Sequence, residues 1–342
     1  MRLRLLCLLL TCIATATHAQ GGSPPAPQPN AAPSPASDVV DLDTVVVSGL
    51  QPGPGMWKVS KGDHVLYILG TLSPLPRRME WLSKDVEATI AQAQAVIEPP
   101  SVELDSDIGL FGKLTLLPSL LKARKNPDGR TLQQSVSPQL YARWQVLKAR
   151  YIGSDAGIES WRPIFAAQEL YESAMKRSGL SQKNIVEGVV ERAAKKHRVP
   201  RLSTETTFKV SNPKTVIREF NTTTLADADC FAKTMTRIEA DLGTMQVHAN
   251  AWAVGDIAAL RDLPLENQYA ACTQAITDSA LAQKLGLGNV RARIAGTWMA
   301  AAEKSLADNR VSFATMSIPL LLRDDGFIAR LRAKGYAIEE PQ

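Results

Sequence analysis

Apolar positions first alternate and then run together where the folded part of the chain begins. Trp57-Lys58-Val59-Ser60 is followed by a polar Lys61-Gly62-Asp63 turn and then by Val65-Leu66-Tyr67-Ile68-Leu69. This pattern predicts a β-hairpin whose second strand is buried on both faces. Gly70-Thr71-Leu72-Ser73-Pro74-Leu75-Pro76 ends that strand in a loop. The period then becomes helical. Ser83 is placed to cap a helix with Asp85 and Glu87 in its first turn, and Leu82, Val86, Ile90, Ala93 and Ile97 mark its buried face. Ala95-Val96-Ile97-Glu98-Pro99 predicts the next strand, with a carboxylate at its end. Residues 110–200 and 212–285 are mostly helical in pattern. One such helix, Ile185 to Lys196, ends before a Val199-Pro200 break and a strand-like Arg201-Leu202-Ser203-Thr204-Glu205. Further on, Arg291 to Leu306 predicts a helix and Val311 to Met316 a strand. Asp324 is placed to cap a last helix that runs through Phe327, Ile328 and Leu331 and stops at Gly335. The expectation is an α/β fold: a mixed central β-sheet formed from N- and C-terminal strands, with a large, mostly helical middle region.

The first residues carry a different pattern. Arg2 and Arg4 precede an apolar run from Leu5 to Ile13 that is too short to span a bilayer, and Thr17-His18-Ala19 supplies small residues for cleavage. Residues 1–19 thus read as a secretory signal peptide, cleaved near Ala19, which places the protein in the periplasm or outside the cell. Cys12 offers a lipoprotein site as the alternative, although Thr11 before it fits such a site poorly. Residues 20–54 read as a linker whose first part is dominated by Pro, Ala, Ser and Gly. Within it, Asp41-Leu42-Asp43-Thr44-Val45-Val46-Val47-Ser48-Gly49 is a β-branched run. It is either an edge strand of the following domain or a segment that resembles the TonB box of outer-membrane receptors. Such a segment works by adding a strand to a periplasmic partner's sheet. No later stretch has the length of apolar residues that a membrane helix needs, so the mature chain is expected to have no transmembrane segment.

Apolar content of 45% over this length supports a sizeable core. Loss of Arg2 and Arg4 takes the formal net charge from +5 to +3, too small and dispersed to argue for nucleic acid. Cys230 and Cys272 are the cysteines left after residue 19. In an oxidising compartment they predict a disulfide; two inert core thiols are the alternative.

Several segments, in order, resemble the TraB/GumN family, which includes Tiki-type proteases and is related to the EreA/ChaN-like fold. They are Trp57-Lys58-Val59, Leu69 through Pro76, Val96-Ile97-Glu98, Thr204-Glu205-Thr206, Ala251-Trp252 with Gly255-Asp256, Arg293, Asp325-Gly326 and Leu331 through Tyr336. The resemblance implies a TraB/GumN-like domain over residues 55–340. It also implies a metal site built from two Gly-x-x-His motifs, a Glu after the second core strand and an Arg before the last strand. Imidazoles and a carboxylate would hold a divalent metal that activates water, while Arg steadies an anion.

This chain departs from that pattern at the metal ligands. The first motif reads Gly70-Thr71-Leu72-Ser73 and the second aligns as Ser317-Ile318-Pro319-Leu320, so both histidines are lost. Glu98 and Arg293 persist, and Ile294 stands where the family has Asn. Past the signal segment the histidines are His64, His197 and His248, none with a ligand partner at helical spacing. The site positions are therefore Gly70, Ser73, Glu98, Glu205, Arg293 and Leu320, read as a degenerate set with no bound metal. Glu98 and Glu205 form an acid/base couple if their strands are adjacent; otherwise Glu98 is a carboxylate packed with Arg293. Three functions follow. The first is a catalytically degenerate binding protein of the envelope, for which no cofactor is expected. The second is an active metal-dependent hydrolase or protease with a rearranged site, the one case that calls for a divalent metal. The third, by analogy with ChaN-like proteins, is a small-ligand or haem-binding module.

Overall fold

A computed structural model of the chain describes residues 53–106, 108–183, 185–261 and 267–341. The signal segment 1–19, the linker up to Pro52 and the Val-rich run 41–49 lie outside the described residues.

The hairpin consists of β1 (Met56–Lys61) and β2 (His64–Thr71), with Trp57 opposite Ile68 and Val59 opposite Leu66. After β3 (Leu75–Pro76) come α1 (Lys84–Gln92), β4 (Val96–Ile97) and β5 (Ser101–Ser106). The helical middle begins with α2 (Leu110–Ala123), α3 (Leu132–Ser135), α4 (Pro138–Tyr151) and α5 (Pro163–Arg177). It continues with β6 (Leu180–Ser181), α6 (Glu187–His197), β7 (Arg201–Leu202) and β8 (Glu205–Val210). Then come α7 (Pro213–Thr222), α8 (Ala228–Val254), α9 (Ile257–Arg261), α10 (Asn267–Thr277) and α11 (Ala280–Lys284). The chain closes with α12 (Val290–Asp308), β9 (Val311–Ser317), α13 (Ile318–Leu322), α14 (Phe327–Ala333) and β10 (Ala337–Glu339).

The main sheet runs β10-β1-β2-β9-β4-β7, so strands from both ends of the domain share it, as the sequence pattern predicts. Ile338 of β10 pairs with Val59 of β1, antiparallel, while β2, β9, β4 and β7 are mutually parallel. β9 lies between two parallel neighbours, and every residue from Ser312 to Met316 is buried. Burial on both faces is what parallel strands under helices require. Helix α1 packs on β9, and α12 packs on β2 and β9. Each fully buried Ile, Leu or Phe side chain in this core contributes about 1.5–3 kcal/mol relative to exposure.

Three local expectations are corrected. Leu82 is 48% exposed, because the helix starts only at Lys84, and Ile97 belongs to the strand. The Ser83 hydroxyl donates to the Glu87 carboxylate (2.6 Å) and caps no backbone N–H. Gly326, not Asp324, is the N-cap of α14.

A second core joins α4, α5 and the front of α8 through Trp144, Leu170, Tyr171, Phe231 and Met235. At about 1.5 Å per residue, the 27 residues of α8 reach roughly 40 Å. This length carries α8 from that core into the sheet core, where Ala249, Trp252 and Ala253 are buried. It stops at Gly255, whose φ of +75° is the left-handed cap that glycine adopts without strain.

Two devices fix the helical middle. The expected disulfide joins Cys230 of α8 to Cys272 of α10, with Cα atoms 4.6 Å apart. Arg162 is 1% exposed, and its guanidinium donates to the carbonyls of Ala123 and Lys125 (3.1 Å each), Phe220 (2.7 Å) and Thr223. It thereby satisfies carbonyls at the carboxyl ends of both α2 and α7, which helix geometry leaves unpaired. Beside it, the buried Asp227 accepts from the Ile164 N–H (2.9 Å). Burial pushes this carboxyl above the usual range, against that hydrogen bond and the Arg162 charge.

Candidate functional site

The parallel strands β2, β9, β4 and β7 all end on the same edge of the sheet, the edge where open α/β sheets place ligands. Thr71 pairs with Ser317, so the loop carrying Ser73 and the segment carrying Leu320 leave neighbouring strands. Glu98 follows β4, and Glu205 opens β8 just beyond β7.

At the end of β2, Gly70 has a steric reason to be glycine. A Cβ there would sit 2.7 Å from Trp57 Cζ3 and 2.9 Å from Ile318 Cγ1. Its carbonyl accepts a buried hydrogen bond from Trp252 Nε1 (2.9 Å), which ties the motif to the end of α8. Ser73 is exposed, and its hydroxyl donates to the Gln182 carbonyl (3.3 Å). β9 runs to Ser317 and α13 starts directly at Ile318, with Pro319 in its first turn. Leu320 is half-buried and packs against the sheet core.

Glu98 is half-buried, and its carboxylate lies 2.9 Å from Arg201, which also binds Glu187. Its backbone is held on both sides. The Glu98 N–H donates to Leu202 (2.9 Å), and the Glu98 carbonyl accepts from the Thr204 hydroxyl (3.1 Å). Arg201, rather than Arg293, is thus the ion-pair partner of Glu98. Arg293 instead lies over the Phe208 ring, 4.0 Å from its centre, in a cation–π contact. One turn on, Thr297 shares a hydroxyl hydrogen bond with Thr206 of β8 (3.0 Å), so the start of α12 is docked on β8.

The Glu98 charge acts on Glu205, but the stronger influence on Glu205 is Glu103. The two meet because β5 and β8 pair in parallel, Ser101 beside Glu205, in a ribbon separate from the main sheet. The hydrogen bond to Glu103 holds the Glu205 carboxyl above the usual range, with burial and the charges of Glu103 and Glu98 adding to it.

Glu103, Arg201 and Glu187 are the polar residues at this edge that the sequence left unmarked. The alternation Ser101-Val102-Glu103-Leu104-Asp105 carried a strand signal for the first.

These residues do not fit a divalent metal. Leu320 has no donor atom, the Ser73 hydroxyl is a weak ligand, and the Glu98 carboxylate is engaged by a cation. Among the described residues no three His, Cys, Asp or Glu side chains group as a metal centre needs. His64 begins β2, at the far end of the strand from Ser73. His197 ends α6 among Lys195, Lys196 and Arg198, and His248 lies within α8. Trp144, Trp252 and Trp298 are fully buried and Trp161 is half-buried, which makes them core residues. Among the described residues no helix is long and apolar enough to cross a membrane.

A mixed six-stranded sheet that takes strands from both ends of the domain, with a helical middle region, defines the class as an α/β protein. A family model described as the TraB/PrgY/gumN family matches residues 55–340, and the chain belongs to this family. No curated protein and no solved structure matches the chain.

Proposed function

We propose that this chain is an exported, catalytically degenerate member of the TraB/PrgY/gumN family that acts by binding at the cell envelope. The observation that carries this reading is the state of the strand ends. Leu320 packs, half-buried, against the core where the family would place an imidazole, and the Glu98 carboxylate is spent on Arg201. Water activation by a metal needs open, ligating groups, and neither position offers one.

The test is metal analysis of the purified mature chain after dialysis against zinc or manganese. The expected result is no stoichiometric metal. Retention of one ion per chain, released in Glu98→Ala, overturns the degenerate reading. Export belongs to the same proposal, with cleavage near Ala19 and residues 41–49 adding a strand to a periplasmic partner. Deleting residues 38–49 should then abolish capture by a TonB periplasmic domain while leaving the thermal melt unchanged.

A second reading has one observation behind it. Glu103 and, less strongly, Glu98 hold the Glu205 carboxyl above the usual range, on strands that pair Ser101 beside Glu205, and a raised carboxyl beside another is the setting of acid/base hydrolysis. Hydrolysis of a peptide library that disappears in Glu205→Gln would favour that reading.

A further inference from the structure

A cleft of about 360 Å³ opens in the helical middle of the protein. Leu120 of α2, Phe165 of α5, Ile217 and Phe220 of α7, Ile276 of α10 and Leu285 just after α11 are among its walls. None of the strand-end residues lines it. Its volume falls within the roughly 300–1,000 Å³ of small-molecule sites. It is more than twice the size of an apolar cavity of about 150 Å³ that accepts benzene.

The sequence shows why the cleft is apolar. Helix α2 brings Leu120, 47% exposed, to the cleft wall, and α10 brings Ile276, 43% exposed, where surface helices would carry polar residues. The walls are held in place rather than collapsed. Phe165 and Phe220 pack on Ile164, Leu225 and Cys230, and the Cys230–Cys272 bridge ties α10, which brings Ile276, to α8. Arg162 fixes the ends of α2 and α7 that flank the same space.

Arg124 is among the residues that border this apolar space. Arg124 sits where α2 ends, its guanidinium stacked on the Trp161 ring at 5.2 Å, and it has no carboxylate partner among the described residues. The carboxylate of Glu219 on α7 is paired with Lys284 at the end of α11 (3.5 Å), so it does not neutralise Arg124. An apolar cleft with an uncompensated guanidinium is complementary to an alkyl chain that ends in an anion.

We propose that this cleft binds a free fatty acid, the alkyl chain lying against Phe165, Ile217, Phe220 and Leu285 and the carboxylate meeting Arg124. The proposal rests on the cleft alone and holds whether or not the strand ends are active.

The experiment is calorimetric titration of the disulfide-intact mature chain with dodecanoate and, separately, with dodecanol. Dodecanoate should bind saturably at one site. Arg124→Gln should weaken dodecanoate about three- to fivefold, the scale of an exposed ion pair, and leave dodecanol unchanged. Ile276→Trp fills the cleft from a position that is 43% exposed, and Leu120→Trp fills it from α2. Either should abolish binding of both ligands while the thermal melt stays that of the parent. Absence of saturable dodecanoate binding overturns the proposal, as does binding that survives both tryptophan variants. Equal loss of both ligands in Arg124→Gln overturns the role of the cation. Cosedimentation with phosphatidylglycerol vesicles that persists in Ile276→Trp, without binding of free dodecanoate, would mean membrane docking instead and equally overturns it.

Discussion

The strand ends and the helical cleft differ in what their side chains have left to offer a ligand. At the strand ends Ser73 is engaged with Gln182, Glu98 with Arg201 and Leu320 with the core, while Arg293, like Arg124, lies over an aromatic ring. In the cleft, apolar walls border about 360 Å³ and Arg124 has no carboxylate partner among the described residues. A position can therefore match an expected motif for packing reasons alone. Gly70 is the example, since the room left by Trp57 and Ile318 already demands glycine there. Capacity for binding is found instead where side chains have not satisfied one another.

The two regions are also held differently, and substitutions separate them. The helical middle depends on a covalent tie between α8 and α10, across a sequence separation of 42 residues. Cys230→Ser combined with Cys272→Ser should lower stability by about 4 kcal/mol on a chain-entropy estimate, measured by urea unfolding. A loss below about 1 kcal/mol would show that packing alone holds α10 and would remove the contrast. The strand ends depend on close packing without such a tie. Gly70→Ala should cost about 1–3 kcal/mol, because the new methyl group would meet Trp57 at 2.7 Å and Ile318 at 2.9 Å. An unchanged urea midpoint would mean that this packing gives way easily and that glycine is there for another reason.

The legible parts of the fold are those whose burial follows a single period. The hairpin, α1, α12 and β9 each bury a regular face or the whole strand, and the pattern marked them. The pairing of Cys230 with Cys272 was legible because no other cysteine follows residue 19. Arg201 to Glu205 was less legible. It reads as one strand, yet Thr204 turns its hydroxyl to the carbonyls of Glu98 and Pro99, which divides it into β7 and β8. The Arg201 partner of Glu98 was hidden for a related reason. It depends on the β4–β7 register, which sets Val96 beside Arg201, and a register between strands about a hundred residues apart leaves no local trace. The cleft was hidden too: Leu120 and Ile276 belong to helical apolar patterns that do not say whether another element covers them.

The smallest expected effect tests whether the strand-end carboxylates are engaged with one another. The hydrogen bond that the protonated Glu205 carboxyl donates to Glu103 chiefly, then burial and the charges of Glu103 and Glu98, hold the Glu205 carboxyl above its ordinary value. A carboxyl whose folded-state value exceeds its unfolded one binds more protons in the native state. Its contribution to stability is therefore present at low pH and is lost as pH rises from the unfolded value through the raised folded one. Glu205→Gln removes this titration and keeps a donor facing Glu103. Parent and variant should melt alike near pH 4 and separate by pH 7, the variant being the more stable, with a gap of about a degree or two for so exposed a pair. Added salt should shrink the gap, since exposed charges are screened within about 10 Å at 0.1 M. Melting curves with the same pH slope in both proteins would mean that Glu205 and Glu103 do not feel each other. The strand ends would then hold an unengaged carboxylate, and the contrast with the cleft would fail at that point.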